Sequence, residues 1–251
     1  MSAEKATAIV LRTVDFSESS LVVTLFTREF GKVRGLAKGG RRLKGPFESA
    51  LDLLARCRIV FLRKSSDTLD LLTEAKLERR FRLAGCDLAG LYAAYYTAEL
   101  LDALTDDHDP HPALFDLADE TLAGLAAGDE VGKRLLRFEL GGLRELGHLP
   151  SLDRCAECAK PIALSGRITF GLLDGGALCG RCRQGKRKVA SVNAGVLRIM
   201  ARFADAGEAW RRIEIDARSR GELRGLLNHF VCHLLGRKPR LHDYLGQLAG
   251  R

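Results

Sequence analysis

Four cysteines carry the strongest chemical signal in the chain. Cys155-x-x-Cys158 is followed, twenty residues later, by Cys179-x-x-Cys182. A two-residue spacer lets a tight turn present two thiolates to one metal. Two such knuckles supply the four soft ligands that tetrahedral Zn2+ prefers. With sulfur at all four positions no place is left for water, so the expected role is structural, with one zinc per chain. Between the pairs, Arg167-Ile168-Thr169-Phe170 and the Gly175-Gly176 turn predict a small hairpin. That is the arrangement of a zinc ribbon, expected at about 151–185. The segment has little apolar content of its own, so metal binding is expected to supply much of its folding free energy. The competing reading is a pair of redox CxxC motifs. Seven cysteines, an odd number, argue against a disulfide framework. Cys57, Cys86 and Cys232 are expected to behave as small buried apolar residues.

Cations form the second signal. In the run Lys32–Lys38 the side chains alternate, with Lys32, Arg34 and Lys38 on one strand face and Val33, Gly35 and Ala37 on the other. The glycine-rich loop that follows adds Arg41, Arg42 and Lys44. Six cations on one strand and its loop suit a phosphate backbone, and a small barrel that presents them is a plausible single-strand binder. Such sites usually add aromatics on which bases stack. Phe30 and Phe47 flank the stretch and are the candidates, with burial in a core as the alternative for each. A weaker run follows the second knuckle: Arg181, Arg183, Lys186, Arg187 and Lys188. It reads equally well as a solvated face or as a phosphate-contacting stripe.

These residues need elements to hold them. Short β-branched or apolar runs at Ala8–Thr13, Leu21–Thr27, Lys32–Lys38, Cys57–Leu62 and Thr68–Leu77 predict about five strands. Glu29-Phe30-Gly31 marks a turn between the second and third. Five short strands in about eighty residues suit a small closed barrel, with an open sandwich as the alternative. From Asp87 the period becomes helical, with Leu91, Tyr95, Ala98 and Leu101 in phase. Asp109-Pro110-His111-Pro112 breaks that helix, and two more are predicted, over about Ala113–Ala126 and Glu130–Leu146. Tyr92, Tyr95 and Tyr96 form a stripe expected to pack in a core. Leu223, Leu226, Leu227, Phe230, Val231, Leu234 and Leu235 keep the i, i+3, i+4, i+7 pattern of an amphipathic helix closed by Gly236 and Pro239. A short last helix is expected at about 240–248. The fold class is therefore α+β: a β-barrel (1–80) followed by an α-helical domain (81–251) with an inserted four-cysteine zinc ribbon.

Charge distribution and absent motifs narrow the function. The net charge is +8 over 251 residues. Residues 1–80 hold 16 Lys and Arg against 10 Asp and Glu, residues 81–150 hold 5 against 13, and residues 151–251 hold 19 against 9. Two basic segments flank an acidic middle, which favours a polyanionic partner. No run approaches the roughly 18 apolar residues of a membrane span, and no targeting segment is read, so the expected compartment is the cytoplasm. Gly128–Arg134 echoes a phosphate loop but fails, because Ala127 stands where the first glycine belongs and Arg134 where Ser or Thr must bind Mg2+. His229 and His233 lie at i, i+4 on one helix but lack further metal ligands and are read as surface or core-edge residues. No Ser/His/Asp, Cys/His or paired-carboxylate arrangement stands out, so no enzyme and no small-molecule substrate are expected.

The chain also resembles a known family. Ala8–Thr13, Asp15-Phe16-Ser17-Glu18-Ser19-Ser20-Leu21-Val22-Val23, Leu25–Val33 and Ala37–Arg42 are similar to the opening of the RecO family of bacterial DNA repair and recombination mediators. The order of parts that follows is similar as well: barrel, helices, a Phe138-Glu139-Leu140…Gly147…Pro150 run, then the knuckles. The resemblance implies an OB-fold at the N-terminus and a helical domain with a zinc site. It implies binding to single- and double-stranded DNA and annealing of complementary strands. It implies that, with RecR, the protein helps load RecA onto DNA coated by single-strand-binding protein, whose acidic C-terminal tail is a further partner. It implies no enzymatic activity. Positions matching the family's DNA contacts are Arg34, Lys38, Arg41, Arg42 and Lys44. Two other classes remain open on the residues alone: a zinc-dependent nucleic-acid-processing enzyme, and a protein adaptor whose positive charge serves only an acidic partner.

Overall fold

A computed structural model describes residues 2–42, 45–47, 49–64 and 68–244. The chain divides into two compact units, one formed by Met1–Leu135 with Arg240–Arg251 and the other by Leu136–Pro239.

The first unit is built on five strands: β1 (Ala3–Asp15), β2 (Leu21–Thr27), β3 (Gly31–Ala37), β4 (Arg56–Leu62) and β5 (Asp70–Arg79). They close into a barrel in the order β1-β2-β3-β5-β4, with β1 pairing back to β4. Only β3 and β5 run parallel. This is the OB-type barrel, and closure removes the exposed edges an open sandwich would keep. One long strand makes the closure possible. The first half of β1 pairs with β4 from Ala3 to Ile9, and its second half pairs with β2 from Ala8 to Asp15. A bulge between Val10 and Arg12 bends it from one partner to the other. Val10, Val23, Leu25, Val33, Ile59, Phe61 and Leu72 fill the interior. At the β2–β3 turn Gly31 adopts φ +66°, and Thr27 Oγ1 both accepts from Phe30 N (3.0 Å) and donates to Gly31 O (2.8 Å).

Two helices, α1 (Leu88–Leu104) and α2 (Pro112–Ala127), belong to the same unit. Asp87 caps α1 by accepting from Ala89 N, Pro112 opens α2, and Gly128 in the left-handed region ends it. They cover part of the barrel's outer surface. Phe26, which points outward from β2, is fully buried beside Phe115 of α2. Arg28 holds Asp116 through two hydrogen bonds of 2.8 and 3.0 Å, while Arg56 and Arg79 both pair with Asp119. Of the expected tyrosine stripe, Tyr96 is buried, while Tyr92 and Tyr95 are only half-buried.

Lys32 departs from the sequence expectation. Its side chain does face outward from β3, but α1 and the turn after it lie over that point. The ammonium is buried, and Nζ donates to the backbone oxygens of Asp102 and Thr105, each at 2.7 Å. The Asp102 and Asp107 carboxylates lie at 3.6 and 3.9 Å. A cation at the C-terminal end of α1 meets the helix's unpaired carbonyls and the negative end of its dipole. Lys32 is thus a helix cap and is removed from the candidate DNA contacts.

The helix α3 (Val131–Glu145) contains the division between the units. Within the first unit, the buried Arg134 lies against Gly124 and pairs with Asp129 and Glu120. The stretch that echoes a phosphate loop is therefore a helix end followed by an internal ion pair.

The second unit contains β6 (Arg167–Gly171), β7 (Gly176–Leu178) and β8 (Val189–Asn193) in the order β7-β6-β8, then α4 (Ala194–Ala204), a short 3-10 turn at Ala209–Arg212 and α5 (Ala217–Leu235). The expected hairpin is β6–β7, and β8 adds a third strand. Asn193 caps α4, and Asp216 caps α5 by accepting from Ser219 N at 3.0 Å. Leu223, Leu226, Leu227 and Val231 form the buried stripe of α5. Buried Glu139 accepts from Arg224 Nη2 at both oxygens, 2.7 Å each. Of the three scattered cysteines, Cys57 is buried in the barrel as expected. Cys86 is instead exposed, in the bend that precedes α1, and Cys232 is half-buried beside the apolar stripe of α5. The last helix expected at about 240–248 falls in part outside the described residues, which end at Tyr244.

Lys32→Ala is expected to destabilise the protein by about 3 kcal/mol in denaturant unfolding, since one buried and one part-buried carbonyl lose a charged donor. Lys38→Ala should change stability by less than about 0.5 kcal/mol, as an exposed site. Equal effects at both positions would show that Lys32 does not cap α1.

Candidate nucleic-acid interface and metal centre

The remaining barrel cations sort by what already neutralises them. Arg34 is half-exposed and its Nε lies 3.4 Å from the Asp107 carboxylate. Arg41 is half-exposed, with Nη1 3.2 Å from Asp15 and 3.5 Å from Ser17 O. Exposed pairs of this kind contribute about 0–1 kcal/mol, so a phosphate can replace the carboxylate with little loss. Lys38 and Arg42 are exposed and have no partner among the described residues. Lys44 lies outside the described residues. Arg12, on the outer half of β1, is also exposed and without a partner among the described residues. Sequence reading missed it. The signal was its place in the strand: Arg12 interrupts an apolar run just where the bulge turns β1 away from β4.

The aromatic candidates both prove to be structural. Phe47 is buried in the barrel core, and Phe30 packs on it edge-to-face with Phe61 at 5.5 Å. The exposed ring of this region is Phe16, 64% accessible, at the β1–β2 connection.

The four cysteines converge. Their Sγ atoms all lie within 4.8 Å of one another, with Cys158 and Cys179 at 3.9 Å. A tetrahedron with Zn–S of about 2.3 Å has S–S edges of about 3.8 Å, so the set fits a metal of this kind closely. Among the described residues this is the only group of three or more His, Cys, Asp or Glu that could hold an ion. His229 and His233 are exposed. The first knuckle precedes β6 and the second follows β7, so the hairpin brings the two together.

Hydrogen bonding within the cluster acts unequally on the four thiols. Burial opposes ionisation of Cys155, but the amides of Cys179, Cys158 and Glu157 outweigh it and bring its thiol down to about 6. Cys179 N lies 3.5 Å from Cys155 Sγ. Cys179 is lowered as well, chiefly by the Cys182 amide. Cys182 is pushed up to about 12, first by its hydrogen bond to Cys179 and then by burial. Protein alone stabilises some thiolates at the expense of others, and a divalent ion would relieve that conflict.

The basic run beyond the second knuckle is divided. Arg183, Arg187 and Lys188 are exposed, but Lys186 is not available, because its Nζ bridges Asp174 and Glu157 at 2.5 and 2.9 Å. Those contacts raise its pKa, the Asp174 hydrogen bond most of all. Lys186 is therefore a brace within the ribbon and is corrected from a candidate phosphate contact.

Comparison with known proteins accounts for both parts. A sequence model described as Recombination protein O N terminal matches residues 1–81, and one described as Recombination protein O C terminal matches residues 86–242. A DNA repair protein RecO of Rhodopirellula baltica is 41% identical over 262 residues, covering 95% of this chain and 97% of the relative. One from Anaeromyxobacter dehalogenans is 38% identical over 254 residues and covers the whole of both chains. One from Myxococcus xanthus is 34% identical over 242 residues, covering 96% of each. A closed OB-type barrel followed by helices and a four-cysteine cluster, matched along nearly its whole length, places this chain in the Recombination protein O family of DNA repair proteins.

Proposed function

We propose that this protein is a non-enzymatic mediator of DNA repair and homologous recombination. It binds single- and double-stranded DNA through the barrel (1–80), anneals complementary strands, and with RecR helps load RecA onto DNA coated by single-strand-binding protein. The acidic tail of that coating protein is a further partner of the helical part (81–251), and the setting is the cytoplasm, at the nucleoid. The observation that carries the reading is the pair Lys38 and Arg42, exposed and without a partner among the described residues, beside Arg34 and Arg41, whose ion pairs among those residues are exposed ones. Cations in this state release counterions when a phosphate binds, and that release supplies most of a sequence-independent affinity. Annealing follows from the same chemistry: neutralising two backbones lowers their mutual repulsion and leaves the bases to select the partner. The metal centre has no open position once four sulfurs are bound. Its proposed occupant is one structural Zn2+, held by Cys155, Cys158, Cys179 and Cys182, that fixes the ribbon.

Two measurements test these readings. Binding of a labelled single strand should fall with salt, and the magnitude of the log–log slope should drop by about 0.7 for each contact removed by Lys38→Glu or Arg42→Glu. The loss should be the same for unrelated sequences. An unchanged slope, or a loss confined to one sequence, would contradict phosphate contact. Metal analysis should find about one zinc per chain. In the zinc-loaded protein, a thiol reagent should label exposed Cys86, leave Cys57 untouched because burial pushes its thiol up to about 12, and reach the four cluster cysteines only after chelation. Free reaction of the cluster before chelation would exclude a bound metal.

A further inference from the structure

The barrel's outward aromatic lies at the β1–β2 connection. The second half of β1 and the start of β2 form an arm, and from Arg12 to Asp15 every residue of β1 is exposed. By strand alternation Arg12 and Val14 share one side, and Val14 is 43% accessible. Phe16 continues the ladder past the end of the strand, its N–H donating to Ser20 O at 3.0 Å.

A single exposed apolar residue needs no explanation by itself. Here three further facts apply. The connection is pinned: Ser17 N donates to Ser20 O, Ser20 N to Ser17 Oγ, and Arg41 N to Ser19 O at 3.1 Å. A ring on a fixed turn loses little freedom when a partner covers it. Cations lie around Phe16 beside two exposed carboxylates, Asp15 and Glu18: Arg41 pairs with Asp15 and reaches the Ser17 carbonyl, Arg42 follows, and Arg12 lies along the arm. Finally, the β1–β2 loop is one of the connections through which OB barrels meet oligonucleotides. An apolar ring beside Arg12 and Arg42, which have no partner among the described residues, and Arg41, whose ion pair is exposed and exchangeable, is complementary to a polyanion that carries flat apolar faces.

We propose that Phe16 stacks on an unpaired base of single-stranded DNA, with Arg41, Arg42 and Arg12 holding the flanking phosphates, and that this contact favours single strands over duplex. The proposal rests on the DNA-binding reading above and goes beyond it. Base–aromatic stacking tolerates any base, because each has a π-face, whereas in a duplex those faces are already stacked on neighbours. Phe16 therefore contributes to single-strand binding and little to duplex binding.

The test compares Phe16→Ala and Phe16→Trp with the unaltered protein on three probes at one salt concentration: a thymidine oligonucleotide, an abasic strand with the same number of phosphates, and a duplex. Phe16→Ala should weaken binding to the oligonucleotide roughly tenfold, leave the abasic strand and the duplex unchanged, and keep the salt slope. Phe16→Trp should restore binding, and its fluorescence should be quenched by the oligonucleotide and not by the abasic strand. The chain's single native tryptophan, Trp210, is buried and serves as background. Undiminished oligonucleotide binding by Phe16→Ala overturns the stacking contact while leaving the phosphate contacts standing. Equal loss on all three probes makes the residue merely structural. If the unaltered protein binds no probe at low salt, the DNA-binding reading itself fails.

Discussion

A cation can neutralise phosphate only if the protein has not already neutralised it, and in this molecule that condition decides which basic residues matter. The acidic middle of the sequence acts as the barrel's internal counter-charge. Asp102, Asp107, Asp116 and Asp119 take up Lys32, Arg34, Arg28, Arg56 and Arg79 to different degrees. Where the acid meets a buried ammonium, as around Lys32, the charge is committed to holding the helices. Where both partners reach water, as in Arg34 with Asp107, the pair is weak and exchangeable. Lys38, Arg42 and Arg12 are spared among the described residues. A segmental excess of charge is therefore a poor measure of surface charge, because the segments cancel one another on folding.

The same electrostatic constraint governs the second unit with the signs reversed. Four sulfurs gathered within 4.8 Å cannot all ionise without a positive partner, and the protein's own amides stabilise Cys155 while Cys182 is driven the other way. Lys186 belongs to the same ribbon but is engaged by Asp174 and Glu157. The four sulfurs are placed so that they could hold a metal ion, beside a small apolar core of Ile168, Phe170, Leu178 and Val192.

Much of this was legible from the residues. Short β-branched or apolar runs located all five barrel strands, the cysteine spacing located the knuckles, and Arg167–Phe170 with the Gly175-Gly176 turn located the hairpin between them. What escaped was long-range. Strand alternation correctly put Lys32 on the outer side of β3 and Val33 on the inner side, but the outside of a barrel is not the outside of a protein once helices cover it. Phe26 shows the same thing, buried on the outer face against Phe115. Phe30 and Phe47 serve the barrel core, the alternative that their residue type also offered, whereas Phe16, which no local pattern marks, lies at the tip of an arm whose exposure depends on where β1 leaves β4. The N-terminal extension of β1, Ala3-Glu4-Lys5, carries no apolar alternation because none of its three residues is buried. β8 lies beyond the expected ribbon boundary because its pairing with β6 bridges a basic loop that reads as a stop.

The central claim is that DNA lies on the barrel's unneutralised cations, and chemical mapping of lysine reactivity with and without a bound single strand tests it most directly. Lys38 should be reactive in the free protein and protected in the complex. Lys32 should be unreactive in both states, and Lys186 should not change. Protection confined to Lys188 and its neighbours in the ribbon, with Lys38 equally reactive in both states, would contradict the claim and move the interface to the second unit.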